Sequence, residues 1–209
     1  MKTVIIDYGA GNVESVVNAL RLVGGNEEIV VSNKISDIRS AHHLILPGVG
    51  AFGDCMEGLK SIEGLLSEIR KQVLVEKKPF LGICVGMQVL ASVGHENGEH
   101  QGLGFINGKV DRIPTQDGLK IPHMGWNEII LKEAEHPVLK DIKSGEHFYF
   151  ANSYHFICQN EHNVLAQVEY GAKFSVVIAK DNVFGAQFHP EKSGEAGLKL
   201  LKNFLNWRP

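Results

Sequence analysis

PFLGICVGMQ, residues 79–88, sets an apolar strand directly against the start of a helix. Pro79 to Ile83 are fully apolar, the pattern of a strand buried on both faces of a parallel sheet, and Val85 to Ser92 continue at helical spacing. The junction, Gly82-Ile83-Cys84-Val85-Gly86, has the form of a nucleophile elbow. Such a turn crowds the neighbouring chain, which is why glycines flank the nucleophile, and it would stand Cys84 proud of the sheet. There the free amides and the dipole of a helix N-terminus favour a thiolate, and the Val85 amide is free to stabilise an oxyanion. A buried Cys between two packing glycines is the other reading this pattern allows.

Outward from the elbow, strands and helices alternate. Thr3 to Ile6, Glu28 to Ser32 and His43 to Leu46 read as strands, the last running into Pro47-Gly48-Val49-Gly50. Val13 to Val23, Gly53 to Lys60 and Ile62 to Val75 place apolar residues at helical spacing. From about Gly94 the helical period gives way to short segments punctuated by Gly, Asn and Pro. Of these, 147–150, 164–168, 175–179 and 183–188 read as antiparallel strands or sheet additions, and a helix over 196–205 closes the chain. The expected fold is α/β, a mostly parallel central sheet flanked by helices with antiparallel additions in the C-terminal half. No repeat, low-complexity tract or linker interrupts residues 1–209, which read as a single domain.

Composition narrows the chemistry. With 209 residues the chain can bury roughly 70% of its unfolded surface without disulfides or a structural metal, and 44% hydrophobic residues exclude a disordered chain. A net charge of -3 offers no basic excess for nucleic acid or an anionic membrane. Cys55, Cys84 and Cys158 include no CxxC pair, which points to a reducing cytoplasm, and MKTVIID lacks the features of a signal peptide. The most membrane-like run, Phe80 to Val93, contains Gln88 and two glycines and falls short of the ~20 apolar residues of a span. The histidines form no HxH, HxxxH or HExxH, so no metal is expected, and the polar 95–100 segment reads as a solvated loop. Gly9-Ala10-Gly11-Asn12 lacks the third glycine of a dinucleotide fingerprint, so no cofactor is expected either.

A thiol nucleophile needs a base, and Gln187-Phe188-His189-Pro190-Glu191 ends the last apolar strand. In extended chain residues two apart share a face, so Glu191 can accept from one imidazole nitrogen of His189 while the other faces a sulfur. A strand-end His with a surface Glu is the plainer alternative. The acid follows the histidine here, whereas in α/β-hydrolases it precedes it.

Together, PGVG at 47–50, GICVGMQ at 82–88 and FHPEKSG at 188–194 resemble the three signatures of class I (triad-type) glutamine amidotransferases over essentially the whole chain. The resemblance implies that Cys84 attacks the side-chain amide of glutamine, His189 delivers a proton to the departing ammonia and Glu191 holds the imidazole. It implies an oxyanion hole from the amides of Val49, Gly50 and Val85, and glutamine contacts at Gly48, Gln88, Ser153 and Tyr154. Within the class, DYGAGN at 7–12, LPGVGAFGD at 46–54 and PHMGWN at 122–127 are similar to a branch of glutaminase subunits in histidine biosynthesis. That branch implies a heterodimer with a (β/α)8-barrel cyclase, which uses the ammonia to make imidazole glycerol phosphate and aminoimidazole carboxamide ribotide. Asn12, Trp126 and Lys192 would face that partner, although Trp126 alone suits packing equally well.

One position departs from the family, which usually has His where this chain has Asn152. The departure keeps open a paralogous glutaminase subunit of a sugar-amidating enzyme in surface polysaccharide biosynthesis. An inactive amidotransferase-like binding module is a third reading, against which the intact Cys84, His189 and Glu191 count. Once the glutaminase parts are assigned, no substantial segment remains to bind an ammonia acceptor, so the acceptor is expected on another chain.

Overall fold

In a computed structural model of the chain, which describes residues 1–114, 118–132 and 135–209, the first half alternates as its periodicity requires. The strands are β1 (Lys2–Ile6), β2 (Glu28–Ser32), β3 (His43–Gly48) and β4 (Phe80–Cys84). They pair in parallel in the order β2-β1-β3-β4. The helices are α1 (Val13–Val23), α2 (Ile35–Ser40), α3 (Phe52–Ser61), α4 (Leu65–Arg70) and α5 (Val85–Gln88). Residues of β3 and β4 are buried throughout, which suits strands covered on both faces.

Three local features differ from the expectation. The short α2 carries too little periodicity to be read from sequence; it is held by Asp37, which accepts from Lys2 Nζ at 2.7 Å and Ser32 Oγ at 2.6 Å. The helix expected over 62–75 is α4 followed by a π-type turn, Lys71–Val75. The helix expected over 85–92 stops early because the next loop takes its carbonyls: Leu103 N–H donates to Val89 O and Gly104 N–H to Ala91 O.

The second half supplies β5 (Val93–Gly94), β6 (His100–Gln101), β7 (Gly108–Arg112), β8 (His123–Leu131), β9 (His147–Asn152), β10 (Tyr154–Cys158), β11 (Val164–Tyr170), β12 (Ala172–Lys180) and β13 (Val183–Ala186). The sheet continues past β4 as β13-β12-β10-β7-β5-β6, while β11, β8 and β9 branch from β12. Most of these pairings are antiparallel, but β13 is parallel to β4, with Ala186 opposite Ile83. The last strand of the chain therefore lies in the middle of the sheet, and α6 (Gly194–Asn206) leaves it to pack on α1. That insertion, across about half the chain, brings the two sequence signatures together.

Candidate active site

The carboxyl ends of β3, β4 and β13 meet at Cys84, as expected for a site in an open α/β sheet. Gly48 pairs with Cys84, and the register of β13 sets Gln187, one residue past Ala186, beside it. Cys84 has φ 55 and ψ -113, a conformation that costs a non-glycine residue ~1–3 kcal/mol. The positive φ marks a true elbow rather than a merely packed cysteine. Interlocked glycines impose it: a Cβ on Gly82 would lie 2.4 Å from Gly86 O, and one on Gly86 would lie 1.9 Å from Leu46 O. No side chain fits between α5 and the strands beneath it.

His189 Nδ1 and Glu191 Oε1 are 2.8 Å apart, with both side chains almost wholly buried. They do not meet as strand neighbours. β13 ends at Ala186, and Pro190–Lys192 form a 3-10 turn that curls Glu191 back to the ring, so proximity comes from the turn rather than from strand alternation. Ser193 closes this turn, since its Oγ donates to His189 O at 2.6 Å and accepts from Tyr149 N–H at 3.0 Å.

Burial pushes the His189 imidazole down, but hydrogen bonding and charge from Cys84 and Glu191 outweigh it and lift its pKa from 6.5 to about 10. The folded chain thus holds this proton more tightly than the unfolded one. The resulting stabilisation is complete below pH 6.5 and is lost as the pH rises through about 10. Nitrogen-15 histidine spectra should show His189 titrating near pH 10 rather than 6.5; a midpoint near 6.5 would mean that the imidazole is not paired.

Beside Cys84 lies a cleft of about 190 Å³, the size of a single amino acid. Gly50, Val85, Gln88, Ser153 and Tyr154 line it with Cys84. Gly48 does not line it, and a Cβ there would strike Gly86 N at 2.4 Å; Val49 is exposed and does not line it either. Gly50 has φ +83, which favours glycine over any other residue.

Glu96 also lines the cleft, and its Oε2 accepts from Phe52 N–H at 2.8 Å at the start of α3. Among the described residues it is the one carboxylate lining the cleft, and it suits an α-ammonium group. Sequence reasoning passed over it because the 95–100 loop reads as solvated. Asn152 donates through Nδ2 to Tyr154 O at 3.0 Å, and its Oδ1 is buried without a partner. A larger groove of about 530 Å³ adjoins through Glu96 and carries Asp54, Glu57 and Glu99 together with Lys60 and His100.

Of the residues expected to face a partner, Trp126 is exposed and meets Tyr149 edge to face at 6.1 Å. Lys192 Nζ lies 5.8 Å over the same Tyr149 ring. PHMGWN divides by strand alternation: His123 is buried in a stack with Phe150 and Tyr170, while Met124 and Trp126 are exposed. Asn12 lies at the N-terminus of α1. Among the described residues, no cluster of three metal-ligating side chains occurs, and no helix is long and apolar enough to cross a membrane.

Residues 4–207 match the family model of glutamine amidotransferase class-I. The imidazole glycerol phosphate synthase subunit HisH of Rhodospirillum rubrum is 46% identical, with all of both chains covered. The HisH subunit of Aquifex aeolicus is 49% identical over 98% of this chain and 96% of its own. Among solved structures, PurLQS from Thermotoga maritima superposes with a TM-score of 0.74 at 22% identity, covering 98% of this chain and 97% of that one, which extends the likeness of fold beyond close relatives. With the elbow, the buried histidine–glutamate pair and the full-length match in agreement, the chain belongs to the class-I glutamine amidotransferases, in the branch of the HisH subunits.

Proposed function

We propose that this chain hydrolyses glutamine to glutamate and ammonia and is the glutaminase subunit of imidazole glycerol phosphate synthase. It acts as one domain over residues 1–209, in the cytoplasm and without a cofactor. The observation that carries the reading is Cys84 on a strained elbow, bordering an amino-acid-sized cleft and coupled to the buried His189–Glu191 pair.

In the first half-reaction, Cys84 Sγ bonds to the side-chain carbonyl carbon of glutamine. The C–N bond then breaks, and the nitrogen leaves as ammonia with a proton from His189. Water next cleaves the thioester, giving glutamate and free Cys84. Amides of Val49, Gly50 and Val85 receive the oxyanion, while Glu96, Gln88, Ser153 and Tyr154 hold the amino-acid end of the substrate. Ammonia passes to a separate (β/α)8-barrel cyclase docked over Trp126 and Lys192, with Asn12 at the same interface, and the cyclase forms imidazole glycerol phosphate and aminoimidazole carboxamide ribotide. Support for the histidine pathway over sugar amidation comes from HisH-named relatives of 46% and 49% identity that match over 100% and 96% of their own length.

The test is glutamate release by the purified chain with and without the cyclase loaded with its nucleotide. The chain alone should be a poor glutaminase, and the loaded partner should raise turnover about 10²–10³-fold, the worth of one oxyanion donor, by turning an amide of the 47–50 strand inward. Full activity of the isolated chain, unchanged by the partner, would defeat the coupled reading.

A further inference from the structure

Gln187 has no part in the mechanism above, yet it is completely buried beside the nucleophile. Its Nε2 lies 3.8 Å from Cys84 Sγ, and its Oε1 accepts from Gln88 Nε2 at 3.0 Å. That second bond fixes which end of the amide meets the sulfur, since the oxygen is committed to Gln88 and only N–H groups remain for Cys84. Gln88 is held in turn. Its other N–H donates to Tyr154 O at 3.2 Å, and the same carbonyl accepts from Asn152 Nδ2 at 3.0 Å.

The result is a connected chain from the wall of the cleft to the nucleophile: Gln88 Nε2 donates both to the Tyr154 carbonyl and to Gln187 Oε1, and Gln187 Nε2 in turn faces the sulfur. It is anchored beside the sulfur by backbone, because the main-chain N–H of Gln187 donates to Val176 O at 2.9 Å. A sulfur that becomes negative in a buried site needs donors in place. His189 supplies one from the triad side, and Gln187 stands two residues before it in the same strand extension.

We propose that Gln187 is a positioning residue for the reaction, donating a side-chain N–H to Cys84 Sγ so as to hold the thiolate, and fixing Gln88 so that only its Oε1 is presented to glutamine. This rests on the assignment of Cys84 as the nucleophile. Both N–H groups of Gln88 are spent inside the protein, so Gln88 serves the substrate as an acceptor. The arrangement also gives the glutamine before FHPE a chemical reason that composition and spacing do not reveal.

The experiment measures iodoacetamide alkylation of Cys84 in the full chain as a function of pH, with the product located by peptide mass spectrometry. Gln187→Met keeps the volume and removes the donor; Gln187→Glu keeps the shape and the bond from Gln88 but turns an acceptor toward the sulfur. Alkylation at neutral pH should fall about tenfold in Gln187→Met, the scale of one hydrogen bond to a charged group. It should fall further in Gln187→Glu, with both profiles moving to higher pH. Profiles that match the unsubstituted chain in a folded variant would overturn the proposal.

A second measurement needs no change at residue 187. The side-chain amide resonances of Gln187 should shift with pH in step with Cys84 alkylation, and should lose that step in Cys84→Ala. Amide signals indifferent to both pH and Cys84 would equally overturn it. Neither measurement requires glutamine or a partner, so a chain that released no glutamate would refute the proposed function while leaving this inference to its own result.

Discussion

Cys84→Ala abolishes glutamine hydrolysis, with an expected loss of about 10⁴-fold or more because the covalent route disappears altogether. The substitution should leave the fold intact. Alanine is smaller than cysteine and brings no new contact to the elbow, whose strain is enforced by Gly82 and Gly86 against backbone oxygens. A diazo-ketone analogue of glutamine should label Cys84 alone. Cys55 and Cys158 are buried, and burial pushes both thiols up to about 12, so neither offers a thiolate at neutral pH. Labelling of either of those residues, or glutamate release by the alanine variant in complex with the cyclase, would remove Cys84 from the mechanism.

His189→Ala separates the two halves of the proposed enzyme. Proton delivery from a positioned group is typically worth ~10²–10⁴-fold, and glutamine-dependent synthesis should fall by that factor. Synthesis from added ammonium salt should remain near normal, because the acceptor chemistry lies on the other chain. The control is demanding: the His189 amide is tied to Tyr149 O at 2.9 Å and its carbonyl to Ser193 at 2.6 Å, but both bonds are made by backbone and survive loss of the ring. If both activities collapse, His189 is holding the complex together rather than moving a proton.

Two signals local to the sequence anticipated much of the fold and the site. The elbow is legible because strand, glycine spacing and helix are contiguous, and Cys84 does adopt the positive φ such a turn requires. The alternating first half was legible because a doubly covered parallel strand is apolar along its buried length, as β4 is throughout and β3 is after His43. The short α2 and the strands β7, β8 and β10 were not, since their pairing depends on partners remote in the chain.

What the sequence determined alone is the class of fold and the elbow that carries Cys84, both set by patterns local to each element. The tertiary structure decided three further things. One is the parallel insertion of β13 beside β4, which no period within Val183–Ala186 encodes. Another is the placement of Glu96, a loop carboxylate that accepts from the Phe52 amide at the start of α3 and lines the cleft. The third is the Gln88–Gln187–Cys84 line, which joins residues 99 and 103 positions apart. The physical reason is common to all three. Periodicity reports which face of an element is buried, but hydrogen-bond partners across a sheet are chosen by register, and register between distant strands exists only after the chain has folded.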